Sequence, residues 1–277
     1  MSWVKEQNKK SALIEKNPLY GSIFADIHEI FLAKDRVPLP GRVANHFIYN
    51  FWQEPSHMRG IWRRANEKSY RQINPKWQTL LDLDELAKQE NENWVWKDAH
   101  CLPPLNNRCL VMLSRGEKDA ATVREFDLDH SEFIKDRFTL GEAKSNIHWL
   151  GENTVWVGTD FGPGSMTRSG YHRIVKLWKR GIPLNEANII FVGLKDLSRG
   201  DMNVEGYSVF SDNSRAVNVI TRVIIFFETE HYIYLSETNK LHRVKIPSSA
   251  DFKGVFRNYV FASCWHLDRN STHFNRK

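Results

Sequence analysis

The serine that comes nearest to a catalytic pattern is Ser165, in the stretch Gly162-Pro163-Gly164-Ser165-Met166. A hydrolase nucleophile elbow has the pattern Gly-x-Ser-x-Gly, because glycines two residues before and after the serine allow the tight strand-to-helix turn. Here those positions hold Pro163 and Thr167. The stretch therefore predicts a loop, and the sequence indicates no catalytic residue. It also has no Gly-rich phosphate loop and no His-Glu-x-x-His motif.

A second candidate for chemistry is the set His100, Cys101 and Cys109, since imidazole and thiolate are zinc ligands. Neighbouring residues of a strand point to opposite sides, which separates His100 from Cys101, and no fourth ligand follows at zinc spacing. We interpret these residues as thiols in or near a core and a surface histidine. No metal and no cofactor is predicted.

Glu125 and Asp127 are two residues apart and lie on one face of a predicted strand, a spacing that a pair of acid–base carboxylates could use. A charged outer strand explains the same pattern without catalysis. We therefore expect these carboxylates to lie on a solvent-facing strand.

Three arginines lie close in sequence to two tryptophans, and such a group can stack on the bases of a nucleic acid. The residues are Arg59, Arg63, Arg64, Trp52 and Trp62. Arginines that cover an aromatic-rich hairpin are the commoner case. The net charge of +6 comes from 39 basic and 33 acidic residues that are interspersed along the chain, so no nucleic-acid partner is predicted.

The element that would hold these arginines is a β-hairpin from Asn45 to Arg64. Large apolar residues fill both sets of alternating positions, so both faces of the first strand carry rings. Pro55-Ser56-His57 and then Gly60 are expected to break the pair of strands. A hairpin with two apolar faces must lie between other layers, because two isolated strands are marginal in water.

Strand pairs of the same kind recur along the chain. A strand at 108–114 is followed by a return strand at 121–128, and a strand at 153–158 by a return strand at 171–178. A looser third copy covers 223–228, 231–235 and 241–246. Starts near His46, Arg108, Asn153 and Val223 are about 45 to 70 residues apart, close to the length of a propeller blade with insertions. The apolar-then-charged order favours a propeller over a β-sandwich.

The predicted fold is all-β, a partial or open β-propeller of the seven-bladed type with a short helical N-terminal preface. Apolar residues at helical spacing predict a helix from Asn17 to Leu32, and Pro38-Leu39-Pro40-Gly41 ends the preface. We expect residues 1–41 to form this preface, 42–262 an incomplete propeller of several blades, and 263–277 a polar tail.

Composition bounds the location of the protein. The N-terminal residues are polar, and the longest apolar-leaning stretch, 217–227, falls short of the ~20 residues of a membrane helix. Three cysteines cannot build a disulfide framework, so we expect reduced thiols, a cytoplasmic location and no membrane contact.

Several blocks together resemble the N-terminal part of the prolyl oligopeptidase family of serine peptidases, in its bacterial cytosolic branch. The similarity extends from about Asn17 to about Phe261, with Glu117 where the family pattern has a second glycine after Gly116. The blocks are Asn50–Arg64, Trp77–Leu86, Asn93–Trp96, Arg108–Gly116, Asp119–Leu128, Glu142–Ser145 and Val157–Tyr171.

The resemblance implies a β-propeller that, in family members, sits over an α/β-hydrolase domain and admits only short peptides, which are cleaved after proline. The serine, aspartate and histidine of such enzymes lie in the hydrolase part, so no residue here inherits a catalytic role. We expect the propeller portion of such a peptidase, inactive alone, with a missing or separately encoded hydrolase domain as its route to oligopeptide substrates. The alternatives are a stand-alone propeller that binds a protein or peptide partner and, less favoured, a single-strand nucleic-acid binder.

Overall fold

The computed structural model describes residues 1–33, 36–135, 137–195, 200–210, 216–256 and 259–264. The chain divides into two compact units, Met1–Asp84 and Glu85–Lys277. Most of the predicted polar tail, residues 265–277, lies outside the described residues. No helix in the described part of the chain is long and apolar enough to cross a membrane.

The first unit begins with helices. Helix α1 is Ser2–Ser11, a 3-10 turn covers Ala12–Lys16, and helix α2 is Pro18–Leu32. The predicted helix is confirmed as α2, and the side chain of Asn17 caps it by accepting a hydrogen bond from the backbone N–H of Leu19 at 2.9 Å. Helix α1 was not predicted, because its residues are mostly polar.

The first sheet belongs to the same unit and contains β1 (Arg42–Ala44), β2 (Phe47–Glu54), β3 (His57–Asn66) and β4 (Gln78–Asp82), in that order. The predicted hairpin is confirmed as β2 and β3, with a turn at residues 55–56. The prediction that Gly60 breaks the strands was wrong. Gly60 lies within β3 with a φ of +100°, and a Cβ there would collide with the ring of Phe51. Two short helices follow β3 and β4: α3 (Glu67–Tyr70) and α4 (Leu83–Glu90).

The second unit contains antiparallel sheets whose strands follow one another in chain order. The second sheet has β5 (Trp94–Cys101), β6 (Arg108–Arg115), β7 (Ala121–Asp127) and β8 (Glu132–Phe133), and β9 (Thr139–Ala143) also pairs with β7. The third sheet has β10 (Asn146–Gly151), β11 (Thr154–Gly158), β12 (Ile174–Lys179) and β13 (Asn188–Val192). The fourth sheet has β14 (Asn203–Phe210), β15 (Ala216–Ile225), β16 (Glu228–Leu235) and β17 (Lys240–Arg243). A fifth, two-stranded sheet pairs β18 (Ala250–Phe256) with β19 (Tyr259–Cys264), and a 3-10 turn covers Leu184–Glu186.

The predicted repeats correspond to the middle strands of these sheets. The first two copies are β6 with β7 and β11 with β12, so the first strand of each sheet was missed. The predicted strand at 223–228 was wrong, because residues 226–227 form the turn between β15 and β16. The expectation that the charged return strands are outermost was also wrong. Strands β7 and β12 each have a further strand beside them, and Glu125 and Lys176 are buried.

The second, third and fourth sheets pack face to face, and their first strands are neighbours, β5 beside β10 and β10 beside β14. The second and third sheets share one apolar core, and the third and fourth share another. At Gly206 of β14 an added Cβ would lie 2.6 Å from Val175 and 2.8 Å from the Trp156 ring, so only glycine allows this approach. Successive four-stranded antiparallel sheets with adjacent first strands are the architecture of a β-propeller. The predicted all-β fold with a helical preface is confirmed.

Candidate functional site

A row of polar side chains occupies the first strands of the second, third and fourth sheets. Apolar residues at the intervening positions, such as Ile147 and Val204, are fully buried in the two cores. Since alternate residues of a strand point to opposite faces, the polar residues lie on the other side of each strand. In a propeller the first strands surround the central channel. We call this group the first-strand cluster; it consists of Asp98, His100, Asn146, His148, Asn203, Glu205 and Tyr207.

The centre of the first-strand cluster is a pair of stacked imidazoles. The rings of His100 and His148 have centroids 4.2 Å apart and planes inclined by 18°. His100 Nδ1 is 2.9 Å from the carbonyl oxygen of Ile147, and its Nε2 is 3.1 Å from Oδ2 of Asp98. The hydrogen bond with His100 holds the pKa of Asp98 below its usual range. Burial, with a smaller contribution from His100, lowers the pKa of His148 to about 3, so the His148 ring is neutral at physiological pH.

The cluster continues into the fourth sheet. The ring of Tyr207 lies 6.0 Å from that of His148, and its hydroxyl is 3.2 Å from the hydroxyl of Thr221. The hydroxyl oxygen of Thr221 is in turn 3.0 Å from Nδ1 of His231. Burial lowers the pKa of His231. Thr221 and His231 are buried, so this threonine–histidine pair is not placed to meet a substrate.

Several acceptors of the cluster have unused hydrogen-bonding capacity. Oδ1 of Asn146 and Oδ1 of Asn203 are buried and have no hydrogen-bond partner. Glu205 accepts a hydrogen bond from Nδ2 of Asn203 at 2.7 Å, but burial outweighs this bond and raises the pKa of Glu205. A buried acceptor without a donor costs about 1–3 kcal/mol, so the two asparagine oxygens lower the stability of the chain as it stands.

Ser165 lies in a loop, as predicted. Its hydroxyl is 2.7 Å from the carbonyl oxygen of Gly162 and 3.1 Å from Oδ1 of Asp160, and it accepts a hydrogen bond from the N–H of Phe161 at 2.9 Å. The residue is only 3% exposed. These bonds close the loop on itself, and the hydroxyl is not presented to solvent as a nucleophile must be.

Glu125 and Asp127 are not on a solvent-facing strand, contrary to our expectation. Glu125 is 2% exposed and accepts two hydrogen bonds from Arg180, at 2.8 and 3.1 Å. Asp127 is bound by Arg108 and by His130. Although burial acts to raise it, the hydrogen bonds from His130 and neighbouring groups hold the pKa of Asp127 below its usual range. The two carboxylates are bound by different cations, so they do not form an acid–base pair.

Cys101 and Cys109 do not remain as the reduced thiols that we predicted. They lie opposite each other on β5 and β6 and form a disulfide. His100 points to the first-strand cluster instead of joining them. Two cysteines at the ends of a short strand–turn–strand segment with Pro103-Pro104 in its turn would have signalled this pairing.

Two of the three arginines, Arg63 and Arg64, cover aromatic rings, as we expected for an aromatic-rich hairpin. The guanidinium of Arg63 lies between two indole rings, 4.5 Å from the centroid of Trp52 and 4.2 Å from that of Trp77. Trp62 is only 5% exposed and packs against Tyr49. Arg63 and Trp62 are therefore not available to stack on bases.

Arg59 and Arg64 also make contacts within the first unit, through the backbone of Arg59 and the side chain of Arg64. The backbone N–H of Arg59 donates to the carboxylate of Asp84 at 3.0 and 3.2 Å. The guanidinium of Arg64 lies over the ring of Phe47 and donates to Gln78 at 2.9 Å.

Comparison with known proteins agrees with this architecture. A family model described as the prolyl oligopeptidase N-terminal beta-propeller domain matches residues 1–206. An uncharacterized peptidase of Sinorhizobium fredii is 37% identical over 283 residues, which cover 99% of this chain and 38% of that protein. An uncharacterized peptidase of Rickettsia prowazekii is 28% identical over 94% of this chain and 37% of that protein. The structure of a post-proline cleaving enzyme from Rickettsia typhi superposes with a TM-score of 0.82 at 27% identity, covering 94% of this chain and 39% of that one.

These matches define the class of protein. Antiparallel sheets with adjacent first strands are those of a β-propeller, and the family model assigns this propeller to a peptidase family. The chain belongs to the prolyl oligopeptidase family and corresponds to its N-terminal propeller domain. It spans less than two fifths of the length of the relatives named above.

Proposed function

We propose that this chain is the propeller portion of a serine-type peptidase that cleaves short peptides after proline, and that it controls which peptides reach a hydrolase domain. The observation that carries the proposal is the family match over residues 1–206. It is supported by the similarity, at 27% identity, to the post-proline cleaving enzyme from Rickettsia typhi. No observation favours a stand-alone propeller.

The first-strand cluster is the surface that we propose passing peptides would contact. An extended peptide presents backbone N–H donors along its length. Asn146 and Asn203 are partly exposed residues whose Oδ1 atoms lack a donor, and we propose that these side chains turn to accept from such a peptide. A folded protein keeps its backbone donors paired internally. The cluster would therefore favour unfolded oligopeptides over folded substrates.

Helix α2 offers a surface for the hydrolase domain. None of its residues is buried, and Phe24, Ile30 and Phe31 are 58%, 68% and 68% exposed. An apolar patch of this kind marks an interaction site. We propose that the hydrolase domain of the complete peptidase packs on this helix.

We also propose a cytoplasmic location, which is supported by the resemblance to the bacterial cytosolic branch of the family and no longer by reduced thiols. The disulfide between Cys101 and Cys109 is the feature that weighs against it, since such bonds are rare in a reducing compartment. Alkylation of the protein in intact cells before lysis would decide whether both cysteines react there.

The first test is hydrolysis. The purified 277-residue chain, incubated with a fluorogenic peptide that carries proline before the reporter group, is expected to release no fluorophore above buffer. Ser165, the serine nearest to a catalytic pattern, is engaged within its loop, so we do not expect it to act as nucleophile. Hydrolysis that a serine-reactive phosphonate blocks would contradict the proposal.

The second test is binding. A fluorescent, unstructured peptide of about ten residues should bind the chain, and Asn146→Leu/Asn203→Leu should weaken the affinity about tenfold, which corresponds to roughly 1.4 kcal/mol. Glu186→Gln, at an exposed residue of the 3-10 turn, is the matched control and should bind like the unmodified chain. Equal affinity of all three proteins would remove the cluster from the proposed path, provided that circular dichroism shows each to be folded.

A further inference from the structure

Three metal-ligating side chains meet in the first unit, at a place that the proposed function does not use. His57 is the first residue of β3, Asp82 is the last residue of β4, and Asp84 is the second residue of α4. One imidazole nitrogen and one oxygen from each carboxylate all lie within 4.8 Å of one another. Rotations that move these atoms by roughly half an ångström would place all three at bonding distance from one ion, since zinc–ligand bonds are about 2.0–2.2 Å long.

The positions of His57 and Asp82 relative to each other fit two ligands of one metal ion and do not fit a hydrogen bond. Nδ1 of His57 is 3.1 Å from Oδ2 of Asp82. Yet Nδ1 is inaccessible to solvent and has no hydrogen-bond partner of acceptable geometry. Two ligands with bonds of about 2.1 Å at tetrahedral or right angles are about 3.0–3.4 Å apart, which matches this spacing. A neutral imidazole with its proton on Nε2 directs a lone pair from Nδ1, as a metal ligand does.

Hydrogen bonds from the backbone hold both carboxylates in place. Oδ1 of Asp82 accepts from the N–H of Asp84 at 2.9 Å, which leaves Oδ2 facing His57. The carboxylate of Asp84 accepts from the N–H of Arg59 at 3.0 and 3.2 Å. Carboxylate oxygens have two lone pairs each, so these bonds orient the ligands without using all their capacity.

We propose that His57, Asp82 and Asp84 bind one divalent transition-metal ion, with Zn²⁺ the ion that this ligand set favours. Imidazole selects zinc over magnesium, and two carboxylates balance the double charge of the ion. The side chains of His57 and Asp82 are 33% and 29% exposed, which leaves room for water as a fourth ligand. The bound ion would connect the tip of the β2–β3 hairpin to the junction of β4 and α4. The sequence did not indicate this site, because His57 is 25 residues from Asp82 and neither is in a metal motif.

The test is a zinc competition titration of the metal-free, full-length chain against a chromophoric chelator. We expect one tightly bound Zn²⁺ per chain, and an affinity at least tenfold lower for His57→Gln and for Asp82→Asn. Zn²⁺ at about a hundredfold excess over its Kd should also raise the Tm of the unmodified chain by several degrees, and Mg²⁺ should not.

The chain offers a matched control. His46 and Glu67 are a surface histidine–carboxylate pair of the same unit, 3.8 Å apart with the His46 side chain 94% exposed. His46→Gln should leave zinc binding unchanged. Three outcomes would overturn the proposal: zinc binding of unchanged affinity in His57→Gln, an equal loss of affinity in His46→Gln, or no zinc binding by the unmodified chain. If Asp82→Asn does not fold, His57→Gln alone decides, because His57 lies next to the hairpin turn and not in a core.

Discussion

Arg63 of the first unit and Arg222 of the second are held by different kinds of partner. In the first unit Arg63 is 9% exposed, and its guanidinium lies between the indole rings of Trp52 and Trp77. Its Nε donates to Oδ1 of Asn50 at 3.0 Å. Burial lowers the pKa of Arg63 to about 10, and the opposing attraction of Glu54 is smaller.

In the second unit two partly buried arginines, Arg222 and Arg180, are bound by carboxylates. Arg222 donates to both oxygens of Asp201 at 2.9 Å, and the side chain of Asp201 is fully buried. These hydrogen bonds raise the pKa of Arg222, and Glu230 adds a smaller contribution. Arg180 binds Glu125 in the same bidentate manner.

The difference decides what each site tolerates. Ring faces attract the guanidinium without carrying a formal charge, so removal of Arg63 leaves no buried ion behind. A carboxylate partner is itself an ion, and removal of one member of a buried pair leaves the other uncompensated. We therefore expect the ion pairs of the second unit to be far more sensitive to single substitutions than the stacked arginine of the first.

The largest effect is expected for Asp201→Ala. This change leaves Glu230 as the remaining carboxylate partner of Arg222. It also removes Oδ2 of Asp201, which accepts a hydrogen bond from the Leu194 N–H at 2.8 Å. Breaking a buried pair costs about 3–5 kcal/mol, and we expect that loss in the free energy of unfolding by urea.

An exposed ion pair of the same unit serves as the control. Asp251 and Lys253 are 3.2 Å apart, and both side chains are about half exposed. Asp251→Ala should cost less than about 1 kcal/mol. In addition, Asp201→Ala/Arg222→Met should be more stable than Asp201→Ala alone, because the second change removes the stranded charge. A double variant that is less stable would contradict the comparison.

The contrast between the two units also explains what could be predicted from sequence. The β2–β3 hairpin was predictable because its residues are adjacent in sequence and alternate in polarity. The partner of Glu125 was not, because Arg180 is 55 residues away and no local pattern records the contact. The charged residues of β7 suggested an outer strand because the cations that bind them in the fold could not be identified from the sequence.

The candidate site was missed because its strands are unusual. β5, β10 and β14 carry aspartate, asparagine, histidine and glutamate at alternate positions. β-strand propensity alone predicts a loop for such residues. The repeated pattern Asn-x-His at 146–148 and Asn-x-Glu at 203–205, each followed by a buried apolar strand, was the signal available in the sequence.

The next largest effect concerns a buried group of the second unit that has no carboxylate partner in its hydrogen bonds. His172 is 3% exposed, its Nδ1 is 3.3 Å from the carbonyl oxygen of Lys144, and Gly158 leaves the space that its ring fills. Burial lowers the pKa of His172 from 6.5 to about 4. Between these values the unfolded chain binds a proton that the folded protein does not.

Stability should therefore fall as the pH falls from 6.5 toward 4, by up to about 3 kcal/mol from this residue. Urea unfolding at pH 7.5, 6.5, 5.5 and 4.5 measures the slope, and His172→Gln should flatten it. His130 is the control, because its hydrogen bond to Asp127 raises the pKa of His130 and gives it the opposite sign. If His130→Gln flattens the slope as much, the loss does not come from the buried ring.

The smallest of the three effects is expected for Arg63→Met. Methionine keeps much of the length and apolar contact of the arginine stem between Trp52 and Trp77, and no charge is stranded. The change removes two cation–π contacts and leaves Oδ1 of Asn50 without its donor, for an expected loss of about 1–2 kcal/mol.

Arg64→Met is the matched control in the same strand, because Arg64 bonds to exposed Gln78 and stacks on one ring only. It should cost about 0.5 kcal/mol. Urea unfolding followed by tryptophan fluorescence reports on both variants, since Trp52 and Trp62 lie in the strands β2 and β3 that contain or adjoin the substituted residues. A loss for Arg63→Met as large as that for Asp201→Ala would mean that the rings and Asn50 compensate the guanidinium as strongly as a carboxylate does, and the proposed difference between the two units would fail.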